Sequence, residues 1–194
     1  MLVRDVMTSP AVTVRPNLSL KGVARLLDAH SVTALPVVDT HGGIVGVISE
    51  ADVILEVVPR DPRMHEIPGS LPEAPPFART ADVMSHRPIT VSPAADVADA
   101  VELMTSTSVK SLPVVENGVV VGVVSRRDVV RALARTDEDI AAEVDELVRG
   151  LDQDWLVDVQ DSVVTAAGPD DERAREIVRR LAVSVTGVTG VRFS

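Results

Sequence analysis

Apolar positions along the chain come in short blocks with two distinct periods. Leu20, Val23, Ala24 and Leu27 recur at helical spacing. Leu35 to Val38 is an unbroken run, too short for a helix and suited to a strand buried on both faces. A turn at Asp39 to Gly43 carries two glycines, and Ile44 to Ile48 is a second apolar run, so the two runs predict a hairpin. Ser49 stands where a helix cap is needed, and Val12 to Val14, ahead of Pro16, reads as a short strand. The predicted unit is β-α-β-β-α.

The whole block occurs twice, at a spacing of about 77 residues (Asp5 to Asp82). Asp5-Val6-Met7-Thr8 returns as Asp82-Val83-Met84-Ser85, and Thr13-Val14-Arg15-Pro16 as Thr90-Val91-Ser92-Pro93. Ser31 to Val38 returns as Ser108 to Val115, and Gly46-Val47-Ile48-Ser49 with Asp52 as Gly122-Val123-Val124-Ser125 with Asp128. This organisation predicts a first repeat at 1–58, a proline-rich linker at 59–79 whose end Phe77 can pin, and a second repeat at 80–135.

Residues 137–194 follow a different pattern. Asp137 to Gly150 reads as a helix capped by Asp137, with Ile140, Val144, Leu147 and Leu151 on one face. Trp155, Val157 and Val159 alternate as in a half-buried strand, and Asp161-Ser162 turns the chain into Val163 to Ala167. A helix over about 170–183, with Ala174, Ile177, Val178 and Leu181 inward, and a last strand over 188–193 complete an α-β-β-α-β unit. The fold class is thus mixed α/β: two β-α-β-β-α repeats forming a pseudo-symmetric pair, plus a small α+β domain.

Composition narrows the function. Aromatic residues make up 2% of the 194, so Val, Leu, Ile and Ala must build the core. The net charge of −10 disfavours nucleic acid, which demands a basic surface. The absence of cysteine removes disulfides, thiolate metal sites and a Cys nucleophile. The four histidines (30, 41, 65, 86) lack metal-ligand spacing, and no catalytic or phosphate-loop motif occurs, so no enzyme is expected. With no signal-like start and no apolar run of roughly 18 residues, the expected compartment is the cytoplasm.

Each hairpin runs into Ser-x-x-Asp at a helix start. Free N–H groups and partial positive charge there suit a phosphate, and an ionised Asp one turn in can accept from a ribose diol. The same residues also serve as a plain capping box.

The ordered motifs Val-Met, Thr-Val, Leu-Pro-Val-Val and Gly-Val-x-Ser-x-x-Asp, present twice, resemble the CBS domain, and the pair resembles a Bateman module over roughly 1–135. The resemblance implies clefts for an adenosine-containing ligand (AMP, ADP, ATP, S-adenosylmethionine or a dinucleotide) and a regulatory role. By the same resemblance, Asp52 and Asp128 hold ribose, and Ser49 and Ser125 lie near ribose or phosphate. The adenine is held by the backbone around Thr13 or Thr90 together with Ala34-Leu35-Pro36 or Ser111-Leu112-Pro113.

The copies differ. Arg126 and Arg127 follow Ser125, and Lys110 precedes the second copy's strand, whereas Glu50, Ala51 and Thr33 hold these places in the first. The second copy is therefore expected to be the tighter phosphate site, with His86 and Arg87 as further candidates. Val53, Ile54, Val57, Val129, Val130 and Leu133 on the helices after Ser49 and Ser125 predict a homodimer through these helices.

The C-terminal unit resembles the BON domain in Val157-x-Val159, Val163-Val164-Thr165 with Gly168, the helix from Glu172 to Ala182, and Gly187-Val188-x-Gly190-Val191, with Ser162 at a usual glycine position. Such domains contact phospholipid or protein. Acidic Glu138, Asp139, Glu143, Asp145 and Glu146 disfavour anionic lipid. The expectation is a non-enzymatic sensor whose C-terminal domain meets an unknown protein partner. The alternatives are a scaffolding homodimer with vestigial clefts, or a membrane-surface protein.

Overall fold

The computed structural model describes residues 1–57, 78–151 and 155–194. The expected linker, including Phe77 and all its prolines, falls outside these residues except for Ala78 and Arg79. Residue contacts divide the chain into two compact bodies. One comprises Thr8–Pro93 with Thr107–Val123, the other Met1–Met7 with Ala94–Ser106 and Val124–Ser194.

The first body contains α2 (Leu20–His30), β1 (Ala34–Val38), β2 (Ile44–Ser49), α3 (Glu50–Val57), α4 (Thr80–Val83), β3 (Ser111–Glu116) and β4 (Val119–Ser125) as far as Val123. Ser19 caps α2 by accepting from the Gly22 N–H, and Ser31 ends it in the left-handed conformation. Leu20, Val23 and Leu27 are buried, as the helical period predicts. Ala24 is exposed, and Leu26 packs against the core instead. β1 and β2 pair antiparallel, Leu35 opposite Ile48, with an irregularity between Val37 and Val38. In the turn, the Asp39 carboxylate accepts from the His41 and Gly43 N–H groups, which hold its pKa below the usual range.

The expected strand at Val12 to Val14 is reduced to a single parallel bridge, Val14 to Val37, matched in the second copy by Val91 to Val114. The reason is local. Val14 donates to the Pro36 carbonyl and accepts from the Val38 N–H. The next residue facing the partner is Pro16, or Pro93 in the second copy, and neither has an N–H to continue the ladder.

The two hairpins exchange backbone bonds with the other copy's Val-Met segment. Val47 donates to the Ser85 carbonyl at 3.1 Å and Ser85 to the Val47 carbonyl at 2.9 Å. Thr8 and Val123 repeat the exchange at 2.9 and 3.0 Å. The motif aspartate of Asp-Val-Met makes this turn: Asp82 accepts from the Arg79 N–H at 2.7 Å and closes α4 on itself.

The second body contains α1 (Val3–Val6), α5 (Val97–Ser106), α6 (Arg126–Leu133), α7 (Asp137–Val148), β5 (Leu156–Gln160), β6 (Val163–Ala167), α8 (Glu172–Ser184) and β7 (Gly190–Phe193). The C-terminal order α-β-β-α-β matches the sequence pattern. Its sheet runs β5-β6-β7, antiparallel then parallel. Asp161 and Ser162 both have positive φ, 50° and 63°, which gives the two-residue turn a hairpin needs without a glycine. The core is Ile140, Val144, Val148, Trp155, Val164, Ala166, Val178, Ala182 and Val185.

Several expectations shift here. Thr136, not Asp137, caps α7, because the Asp137 carboxylate accepts from the Asp161 and Ser162 N–H groups at the hairpin turn. Val148 takes the inward position and Leu147 is exposed; in α8, Ala182 is buried and Ile177 is exposed. β7 starts at Gly190 rather than Val188, since Thr189 N–H bonds back to Ser162.

Gly46 tests the cross-copy exchange. A Cβ there would stand 2.7 Å from the Ser85 carbonyl oxygen and 2.8 Å from Met84 Sδ. Gly46→Ala is expected to destabilise the protein by about 1–3 kcal/mol, the usual cost of overpacking, read as a lowered urea midpoint.

Candidate functional site

Both Ser-x-x-Asp segments form complete capping boxes. In the first, Asp52 Oδ2 accepts from the Ser49 N–H at 2.8 Å and from Ser49 Oγ at 2.7 Å, and the Asp52 N–H points back to Ser49 Oγ at 3.4 Å. The second repeats this at 2.8, 2.5 and 3.3 Å. Capping is therefore a real function of these residues, whatever else they do.

The copies differ in what remains. Asp128 is 6% exposed, and its Oδ1 accepts from Arg131 at 2.6 Å, so both of its oxygens are committed. Asp52 is half-buried, and its Oδ1 has no hydrogen-bond partner among the described residues.

A cavity of about 380 Å³ opens beside Asp52. That volume falls in the ~300–1,000 Å³ range of small-ligand pockets. Its walls come from both copies: Thr33, Ala34, Val47, Ser49, Glu50, Ala51 and Asp52 from the first, Ser85, Arg87, Pro88, Ile89 and Ser108 to Pro113 from the second. The Val47–Ser85 exchange places the second copy's entry segment alongside β2, so the cavity depends on it.

Of the expected site residues, the structure gathers Ala34, Ser49, Asp52, Ser111 and Pro113 here, with Arg87 and Lys110. It does not add Thr13, Pro36, Thr90, Ser125, Arg126, Arg127 or Asp128 to this lining. Pro36 is buried within β1, and Thr90 is exposed. Arg126 donates to the Met104 carbonyl at 2.6 Å in the last turn of α5, so its guanidinium is employed as a helix-end partner. In this cavity Ala34, Ser49 and Asp52 of one copy meet Ser111 and Pro113 of the other. Sequence reading also missed Ser85, Pro88, Ile89, Ser108 and Val109. Their signal was position, directly after the Val-Met motif and directly before Lys110.

The charged lining groups are Glu50, Asp52, Arg87 and Lys110, and Lys110 Nζ lies 2.6 Å from Glu50 Oε1. The apolar walls suit a flat ring, and Asp52 Oδ1 suits a hydroxyl donor. No group of three or more His, Cys, Asp or Glu able to hold a metal occurs among the described residues, and no described helix is long and apolar enough to cross a membrane.

The model of the CBS domain matches residues 3–59 and 81–135. Protein MJ1426 of Methanocaldococcus jannaschii is 31% identical over 156 residues, 69% of this chain and 91% of that protein. The CBS domain pair of protein MJ0100, solved in complex with 5′-methylthioadenosine and S-adenosyl-L-methionine, superposes with a TM-score of 0.55 at 26% identity, covering 68% of this chain and 98% of that one. CBSX2, solved in complex with AMP, superposes with a TM-score of 0.55 at 27% identity, covering 68% and 94%. The chain belongs to the CBS domain family and carries two CBS domains in tandem.

Proposed function

We propose that the protein is a non-enzymatic regulatory sensor that binds an adenosine-containing ligand in the cavity beside Asp52. The observation that carries this reading is a cavity of ligand size lined by Asp52, whose Oδ1 has no hydrogen-bond partner among the described residues, together with Ser49, Ser111 and Pro113. Structural neighbours solved with AMP, 5′-methylthioadenosine and S-adenosylmethionine support the ligand class. The ribose diol donates to Asp52, and the adenine lies against the entry to β1 at Ala34 and the start of β3 at Ser111 to Pro113.

The C-terminal unit is proposed as a BON-like output domain contacting a protein partner in the cytoplasm. Its support is the α-β-β-α-β order and its tie to α6 within one body. Arg135, just after α6, donates to the Thr186 carbonyl at 2.8 Å and pairs with Glu143 at 2.7 Å. Gly187, with φ +99°, lets that loop approach the Ala132 carbonyl, where a Cβ would sit at 3.0 Å. A homodimer through α3 and α6 is proposed from exposed apolar side chains: Ile54 (56%) and Leu55 (84%) on α3, Val130 (64%) and Leu133 (51%) on α6. Val53 turns inward into the core, and the side chain of Val57 lies outside the described residues.

Calorimetry with adenosine, AMP and S-adenosylmethionine is expected to show saturable binding. A scaffold with vestigial clefts would show none. Asp52→Ala is expected to weaken binding by roughly 1.5–3 kcal/mol, as for a hydrogen bond to a charged group. Asp128→Ala is expected to spare affinity and instead cost about 1–2 kcal/mol of stability through its cap and ion pair. Affinity lost in Asp128→Ala but kept in Asp52→Ala would refute the placement.

Hydrogen exchange with and without AMP tests the output. Altered protection between Asp137 and Phe193 is expected, and a change confined to the CBS domains would refute coupling. Light scattering at micromolar concentration is expected to give a dimer mass, reduced to the monomer by Leu55→Asp with Val130→Asp.

A further inference from the structure

We infer that the Glu50–Lys110 ion pair is a charge gate on the cavity, matching it to an adenosine-class ligand with no more than one phosphate. The inference rests on the reading that this cavity takes such a ligand. It adds which member of the class is accepted and what selects it.

A helix start normally welcomes a phosphate through free N–H groups and partial positive charge. At α3 that equipment is largely spent. The Glu50 N–H donates to the Thr33 carbonyl at 2.9 Å. The Ser49 N–H and hydroxyl both serve Asp52, and the Asp52 N–H is turned to Ser49 Oγ. Two carboxylates, Glu50 and Asp52, occupy the first turn, where their charge opposes an incoming anion.

Cations must then supply any phosphate affinity. Arg87 and Lys110 line the cavity, and Arg87 has no hydrogen-bond or ion-pair partner among the described residues. Lys110 is different, because Glu50 holds its ammonium at 2.6 Å. With that pair closed, the described lining offers one cation without a partner among the described residues, Arg87, enough for one phosphate. A longer phosphate chain needs Lys110 as well.

The pair is built to be opened at small cost. Lys110 is 63% and Glu50 42% exposed, so solvent screens their attraction and its net worth is small. Neutralising Glu50 therefore releases Lys110 to a phosphate. Removing Lys110 leaves Glu50 as an uncompensated negative charge at the same place. The two substitutions push phosphate selectivity in opposite directions, which a merely structural salt bridge would not do.

The test is calorimetry of the full chain with adenosine, AMP and ATP, for the wild type, Glu50→Gln, Lys110→Met and the swap Glu50→Lys with Lys110→Glu. The wild type is expected to bind AMP at least as tightly as adenosine, and ATP no more tightly than AMP. Glu50→Gln should raise the ratio of ATP to adenosine affinity about tenfold, the worth of one charged contact. Lys110→Met should lower that ratio below the wild-type value, and the swap should return it to within about threefold of wild type.

A ratio that neither single substitution moves, in a protein that binds adenosine, overturns the gate and leaves the adenosine reading standing. Wild-type preference for ATP over AMP does the same. No saturable binding of any of the three ligands to any variant overturns the adenosine reading and the gate with it. If one single variant does not fold, the other and the swap still decide.

Discussion

The exchange of backbone bonds between each hairpin and the other copy's Val-Met turn is the constraint on which the candidate site depends. Val47 with Ser85, and Val123 with Thr8, are two-way main-chain pairings that no side chain can replace. They require a residue without a Cβ at Gly46, because the Ser85 carbonyl and Met84 Sδ fill the space a methyl group would take. They also bring the segment after Ser85 against β2. One cavity is consequently walled by both copies.

The Ser-x-x-Asp box shows how one arrangement serves stability and recognition together. Its serine and aspartate satisfy orphan N–H groups at the helix start in both copies. What separates the copies is the second carboxylate oxygen. Arg131 takes it in Asp128, which is nearly buried, while that of Asp52, a residue lining the cavity, has no partner among the described residues. Of the arginines that make the second copy look like the phosphate site, Arg126 is engaged elsewhere, on the end of α5. Charge near a helix start is therefore a poor guide to anion affinity until each guanidinium has been traced to its partner.

The C-terminal unit is joined to α6 by a short, fully bonded connection. Thr136 caps α7, Asp137 reaches across to the β5–β6 turn, and Arg135 binds both the Thr186 carbonyl and Glu143. A connection held at so many points has little freedom to swivel. Within this body, those bonds restrain the orientation of the C-terminal unit relative to α6.

The sequence by itself determined the repeat, the α/β order and the helix caps, because these follow from local period and local hydrogen bonding. Leu20, Val23 and Leu27 face inward and Ser49 and Ser125 cap their helices, as the local pattern predicts. Local reading faltered where neighbours compete. Thr136 displaced Asp137 as a cap only because the hairpin turn offered Asp137 better donors, and Val12 to Val14 shrank to one bridge because Pro16 ends the ladder. The composition of the site was beyond the sequence. Ala34, Ser49 and Asp52 stand 58 to 79 residues from Lys110, Ser111 and Pro113. Only long-range backbone pairing, which no periodicity encodes, decides which copy's entry strand lies beside which copy's helix start.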